Sequence, residues 1–93
     1  MTFTQAVKAM LKGKTVELTF GADEMVTRHV LFLYEGNIQH IANPKDCLDK
    51  FQLDSGSWLN YALFLSNDWE ISKQTIIPHV DSMFLEYSIE ELD

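Results

Sequence analysis

Apolar positions at the start of the chain recur at helical spacing. Phe3, Ala6, Val7, Met10 and Leu11 fall at i, i+3, i+4, i+7 and i+8, one stripe of an amphipathic helix. Thr2 followed by Gln5 predicts a capping box, and Gly13 sits where a left-handed C-terminal residue belongs. Lys8, Lys12 and Lys14 occupy the exposed side or the last turn, where cations suit the helix dipole. At Thr15 the period changes to two: Val16, Leu18 and Phe20 alternate with Thr15, Glu17 and Thr19, as in a half-buried strand. Residues 21–24 read as a loop, and residues 26–34, rich in β-branched and aromatic side chains, as the strongest strand. Glu35-Gly36-Asn37 is a compact turn into a strand over 38–41, which makes a hairpin, and Asn43-Pro44 ends it.

Beyond Pro44 the pattern is less decisive. Cys47, Leu48 and Phe51 fit one helical turn, broken by Asp54-Ser55-Gly56. Trp58, Leu59, Ala62, Leu63 and Leu65 fit a short amphipathic helix capped by Ser55 or Ser57, although so short an apolar run also fits a buried strand. Trp69-Glu70-Ile71 reads as a short strand, and Pro78 as a break. A strand over 83–89 followed by frayed residues is the favoured reading of the end, a helix the alternative. The expected architecture is α+β: an N-terminal amphipathic helix on a small antiparallel sheet, with a second short helix before the Asp68-Trp69-Glu70-Ile71 strand.

Composition narrows the possible functions. The 93 residues carry 14 Asp and Glu against 7 Lys and Arg, a formal charge of −7. That length allows one domain, and the aromatic content argues against a disordered acidic tail. The acid excess argues against direct nucleic-acid binding, which needs a cationic stripe. It is also unevenly distributed: residues 1–14 hold three lysines and no acid, whereas residues 81–93 hold five acids and no base. The lone Cys47 forms no internal disulfide and fits a reducing compartment. With no signal peptide expected and no apolar run long enough to span a bilayer, the reading is cytoplasmic.

No catalytic constellation emerges. His29, His40 and His79 lie far apart in sequence, with no Cys or acid at metal-ligand spacing, and Cys47 has no sequence-adjacent His. Gly21, Gly36 and Gly56 are isolated turn glycines rather than a phosphate cradle. Asp68 and Glu70, the nearest acid pair, read as a turn and edge feature. No catalysis, cofactor or metal is expected. Arg28, the chain's arginine, is suited to forking a phosphate or carboxylate or to pairing with a nearby acid. Phe20, Phe32, Tyr34, Trp58 and Trp69 supply rings for a core or for stacking on a base.

Two blocks carry a family resemblance. Phe3, Ala6, Val7, Met10, Lys12, Gly13 and Lys14 resemble the opening F-x-x-A-hydrophobic-x-x-hydrophobic-K-x-G-K of the second type of phage Thoeris anti-defence protein. Leu65-Ser66-Asn67-Asp68-Trp69-Glu70-Ile71 is similar to that family's L-A-x-D-W-E-hydrophobic ending, and Phe20 is a partial stand-in for a tryptophan that the family carries near its ligand pocket. The resemblance implies a small oligomeric α+β sponge, which binds a cyclic ADP-ribose-type immune signal without catalysis in the host cytoplasm. It divides the chain into a family-like core over 1–77 and an acidic C-terminal extension over 78–93.

The expected function is therefore a phage-encoded anti-defence protein that sequesters a cyclic nucleotide-type signal as a homo-oligomer. Phe20, Arg28, Asp68 and Trp69 are its ligand-binding candidates. The alternative is an acidic inhibitor of a basic host protein, such as a nuclease, presenting Asp81, Glu86, Glu90 and Glu91 as partner-binding residues. A purely structural phage or bacterial protein is the third possibility.

Overall fold

A computed structural model describes residues 1–44, 49–52, 61–81 and 84–91 of the chain. The expected helix forms as α1 (Phe3–Leu11). Its capping box is complete: the Gln5 amide donates to the Thr2 hydroxyl at 3.2 Å, and the Thr2 amide donates to the Gln5 side chain at 2.8 Å. Gly13, at φ +85°, ends the helix and turns the chain into β1 (Val16–Phe20). After one 3₁₀ turn at Asp23–Met25, inside the stretch expected to be loop, β2 (Thr27–Tyr34) and β3 (Asn37–Ala42) form the hairpin. Glu35 and Gly36 both have positive φ, and Tyr34 pairs with Asn37, so the connection is a two-residue type I′ turn.

The remaining elements are β4 (Asp49–Gln52), α2 (Tyr61–Leu65), β5 (Glu70–Ile71), β6 (Gln74–Asp81) and β7 (Phe84–Glu91). Two antiparallel sheets result, ordered β3-β2-β1-β5 and β4-β7-β6. The α+β class is as expected, as is a short helix before β5; the expected strand over residues 68–71 is shorter, with Asp68 and Trp69 in the segment that leads into Glu70–Ile71. Two local expectations change. Phe51 lies in a strand rather than a helical turn, because β4 hydrogen-bonds to β7 with Phe51 opposite Leu85. Pro78 does not break the chain: β6 runs through it, and as the edge strand of its sheet β6 tolerates a residue without an N–H. Residues 45–48 and 53–60, with Cys47 and Trp58, lie outside the described residues.

Three layers follow from the pleat of the first sheet. On one face Val16, Leu18 and Leu31 join Ala6 and Met10 of α1, Leu63 of α2 and Trp69 in a core. On the other face Val30, Phe32 and Ile41 meet Ile76 of β6 and Tyr87 of β7. Burial of the Val, Leu, Ile, Phe and Met side chains among these is worth roughly 1.5–3 kcal/mol each against exposure. The N-terminus is fastened to the segment before β5: the Met1 ammonium donates to the Trp69 carbonyl at 2.7 Å, and Phe3 packs edge-on to Phe64 with centroids 4.8 Å apart. The two blocks that carry the resemblance are thus neighbours in space. Among the described residues no helix is long and apolar enough to cross a membrane.

Candidate functional site

The edge strand β5 is only two residues long, and clefts open on both sides of its half-exposed Ile71. One cleft, of about 400 Å³, lies against α1 and is lined by Gln5, Lys8, Ala9, Lys12, Lys14 and Ile71. Helical spacing accounts for four of these residues. Gln5, Lys8, Ala9 and Lys12 fall at i, i+3, i+4 and i+7, a stripe beside the apolar one, and the turn at Gly13 adds Lys14. All three lysines are exposed. None of the described residues that line this cleft is acidic.

The second cleft, of about 350 Å³, is lined by Glu17, Arg28, Glu70, Ile71, Lys73 and Gln74. Antiparallel register sets Thr19 opposite Arg28, which brings Glu17 diagonally alongside. The Arg28 Nε–H donates to the Glu17 carboxylate, and its Nη2–H donates to Gln74 Oε1 at 2.7 Å. Asn43 fixes the backbone: the Arg28 amide donates to Asn43 Oδ1 at 2.9 Å, and the Asn43 amide returns a bond to the Arg28 carbonyl. Burial pushes the Glu17 carboxyl up, but hydrogen bonds from Arg28 and Ser72, with the Arg28 charge, outweigh it and hold the group below its ordinary value. Arg28 therefore ties the two sheets together, and its charge is largely answered by Glu17.

The four ligand candidates do not converge. Trp69 is 1% exposed, and its Nε1–H donates to the Leu63 carbonyl at 2.8 Å; a ring so enclosed presents no face for stacking. Phe20 is 43% exposed, but it stands on the opposite face of the sheet from Arg28, because its register partner is Thr27. Asp68 is exposed and lines neither cleft, its amide donating to the Ser66 hydroxyl at 3.1 Å. Of the partner-binding candidates, Glu86, Glu90 and Glu91 lie on β7 and Asp81 ends β6. Glu90 is exposed; the side chains of Asp81, Glu86 and Glu91 lie outside the described residues.

Two features escape a reading of sequence alone. The lysine cleft was visible only as three cations on the exposed side of a helix. What makes it concave is β5, far along the chain. The histidines, distant in sequence, include a contacting pair: His29 Nδ1 and His40 Nε2 are 2.8 Å apart. Hairpin arithmetic could have found it, since a two-residue turn at Glu35-Gly36 pairs residue 29 with 42 and residue 31 with 40, leaving 29 and 40 diagonal on one face. No protein-family model, curated protein or solved structure matches the chain.

Proposed function

We propose that this chain is a non-catalytic binding protein that sequesters an anionic, nucleotide-type signal, with the lysine cleft between α1 and β5 as its anion subsite. One observation carries the reading: in a chain of charge −7, Lys8, Lys12 and Lys14 line one cleft with no acid among its described lining residues. A cleft of about 400 Å³ is of the size that small ligands occupy. Its lysines would meet phosphate oxygens, while Ala9 and Ile71 offer apolar contact to the rest of the ligand. The family resemblance of the α1 and β5 blocks, which border this cleft, supports the same reading and suggests the cyclic ADP-ribose class and a phage origin.

Titration calorimetry with cyclic ADP-ribose isomers and cyclic dinucleotides tests the proposal. Saturable binding is expected to weaken at least tenfold in the double variant Lys8→Gln/Lys12→Gln and to fall with added salt, because exposed charges are screened. Absence of heat with every ligand at high micromolar concentration would dismiss it.

A second reading has its own observation. β7 pairs with strands on both sides, so Glu86, Glu90 and Glu91 belong to a central sheet strand, with Glu90 exposed on it. A basic host protein such as a nuclease would be the partner of that surface. Deleting residues 81–93 would remove the central strand of the second sheet and with it the buried Tyr87, so charge-neutral variants such as Glu90→Gln are the suitable probe. Inhibition that survives neutralisation of Glu86, Glu90 and Glu91 would count against this reading.

A further inference from the structure

We propose that the cleft lined by Glu17, Arg28 and Glu70 is a ribose subsite, in which the Glu70 carboxylate accepts hydrogen bonds from the sugar hydroxyls while the base is not read. This inference rests on the lysine cleft as the anion subsite and names the part of the ligand that the chain recognises: a ribose phosphate of any base. The two clefts share Ile71, and β5, the edge strand between them, is two residues long. Their charges fix the direction of a ligand that passes over it. Lys8, Lys12 and Lys14 line the first with no described acid, whereas two carboxylates line the second. The first attracts phosphates; the second repels them and accepts from neutral hydroxyls.

Strand register supplies the acceptor. β5 pairs with β1 so that Glu70 stands directly opposite Glu17, on the same face of the antiparallel pair. The two carboxylates are not equivalent. Glu17 is engaged by Arg28 and by Ser72. Glu70 is exposed, and among the described residues its carboxylate has no hydrogen-bond or ion-pair partner. A carboxylate on a ribose 2′-hydroxyl is the contact by which dinucleotide sites hold their sugar. Arg28 gives Nε–H to Glu17 and Nη2–H to Gln74, which leaves Nη1–H groups to donate to sugar oxygens.

The lining also argues against recognition of the base. Proteins that bind unpaired bases stack them on aromatic rings or guanidinium planes. None of the described residues lining either cleft is aromatic. Trp69 is enclosed, and Phe20 lines neither cleft. The guanidinium of Arg28 is already tied on two of its nitrogens. The sugar and phosphates are therefore gripped, and the base projects towards solvent.

The test is titration of the intact protein with pyrophosphate, ADP, GDP, UDP and 2′-deoxy-ADP, followed by calorimetry and by backbone amide NMR. ADP, GDP and UDP should bind within about threefold of one another, and 2′-deoxy-ADP at least fivefold more weakly. ADP, but not pyrophosphate, should shift the Glu70 and Lys73 amides. Glu70→Ala should erase the ribose preference while pyrophosphate binds no more weakly. Pyrophosphate binding with equal affinity for ADP and 2′-deoxy-ADP would overturn the ribose subsite and leave the lysine cleft standing. A preference of more than tenfold for one base would also overturn it. Absence of binding by pyrophosphate and ADP alike would dismiss the lysine cleft, and this inference with it. The comparison of ADP with 2′-deoxy-ADP uses the unmodified protein, so it decides the matter even if Glu70→Ala fails to fold.

Discussion

The indole of Trp69 donates to the Leu63 carbonyl at 2.8 Å and lies against Phe3, with ring centroids 5.6 Å apart. Trp69→Phe keeps a ring there but strands a buried acceptor, so it should destabilise the fold by about 1–3 kcal/mol, read from urea denaturation, while binding at the lysine cleft persists. His40 makes a pH-dependent contribution of definite sign. Its folded value of about 4 lies below the ordinary 6.5, and His29 is lowered as well. Between these values the unfolded chain binds more protons than the folded one. Stability is therefore full above about pH 6.5 and declines as pH falls towards 4. The urea midpoint should drop between pH 7.5 and pH 5, and His40→Gln should flatten that drop. Glu17, with its folded value below 4.5, adds its own loss only at lower pH.

Among the elements, the turns carry the sharpest constraints. Gly21 has φ +120°, and a Cβ there would stand 2.3 Å from the Met25 carbonyl oxygen. Gly13 and Gly36 also have positive φ but have open space around them. Gly21→Ala should cost clearly more than the roughly 1 kcal/mol expected for Ala at Gly13 or Gly36, and thermal unfolding of the three variants would rank them. Local pattern was enough to foresee α1 with its capping box, β1 and the hairpin, because each shows its period, cap or turn residues within a few positions; at the C-terminus it favoured a strand over a helix but ended it at residue 89, whereas β7 runs to Glu91. It failed where partners decide. Phe51 is strand because β7 lies beside it, and Pro78 sits in a strand because β6 is an edge. The site candidates suffered from the same gap: neither the burial of Trp69 nor the opposite facing of Phe20 and Arg28 can be read without the strand register.

Over the whole molecule the charge is strongly partitioned. Among the residues whose side chains are described, Lys8, Lys12, Lys14, Arg28 and Lys73 line the two clefts that share Ile71, together with the acids Glu17 and Glu70. A −7 chain repels anions at long range, so any anionic ligand must be held by short-range contacts in the clefts. Arg28, engaged by Glu17 and Gln74, then acts mainly as a tie between the sheets. Arg28→Ala should lower stability more than it lowers ligand affinity, with denaturation and calorimetry on the same sample separating the two effects. Under the proposed function, Lys8, Lys12 and Lys14 hold an anionic nucleotide-type ligand. Calorimetry of the intact protein against cyclic ADP-ribose isomers, alongside Lys8→Gln/Lys12→Gln at equal stability, tests it most directly. Saturable binding that the double variant loses at least tenfold is the predicted result; equal affinity in both proteins, or no binding in either, would contradict it.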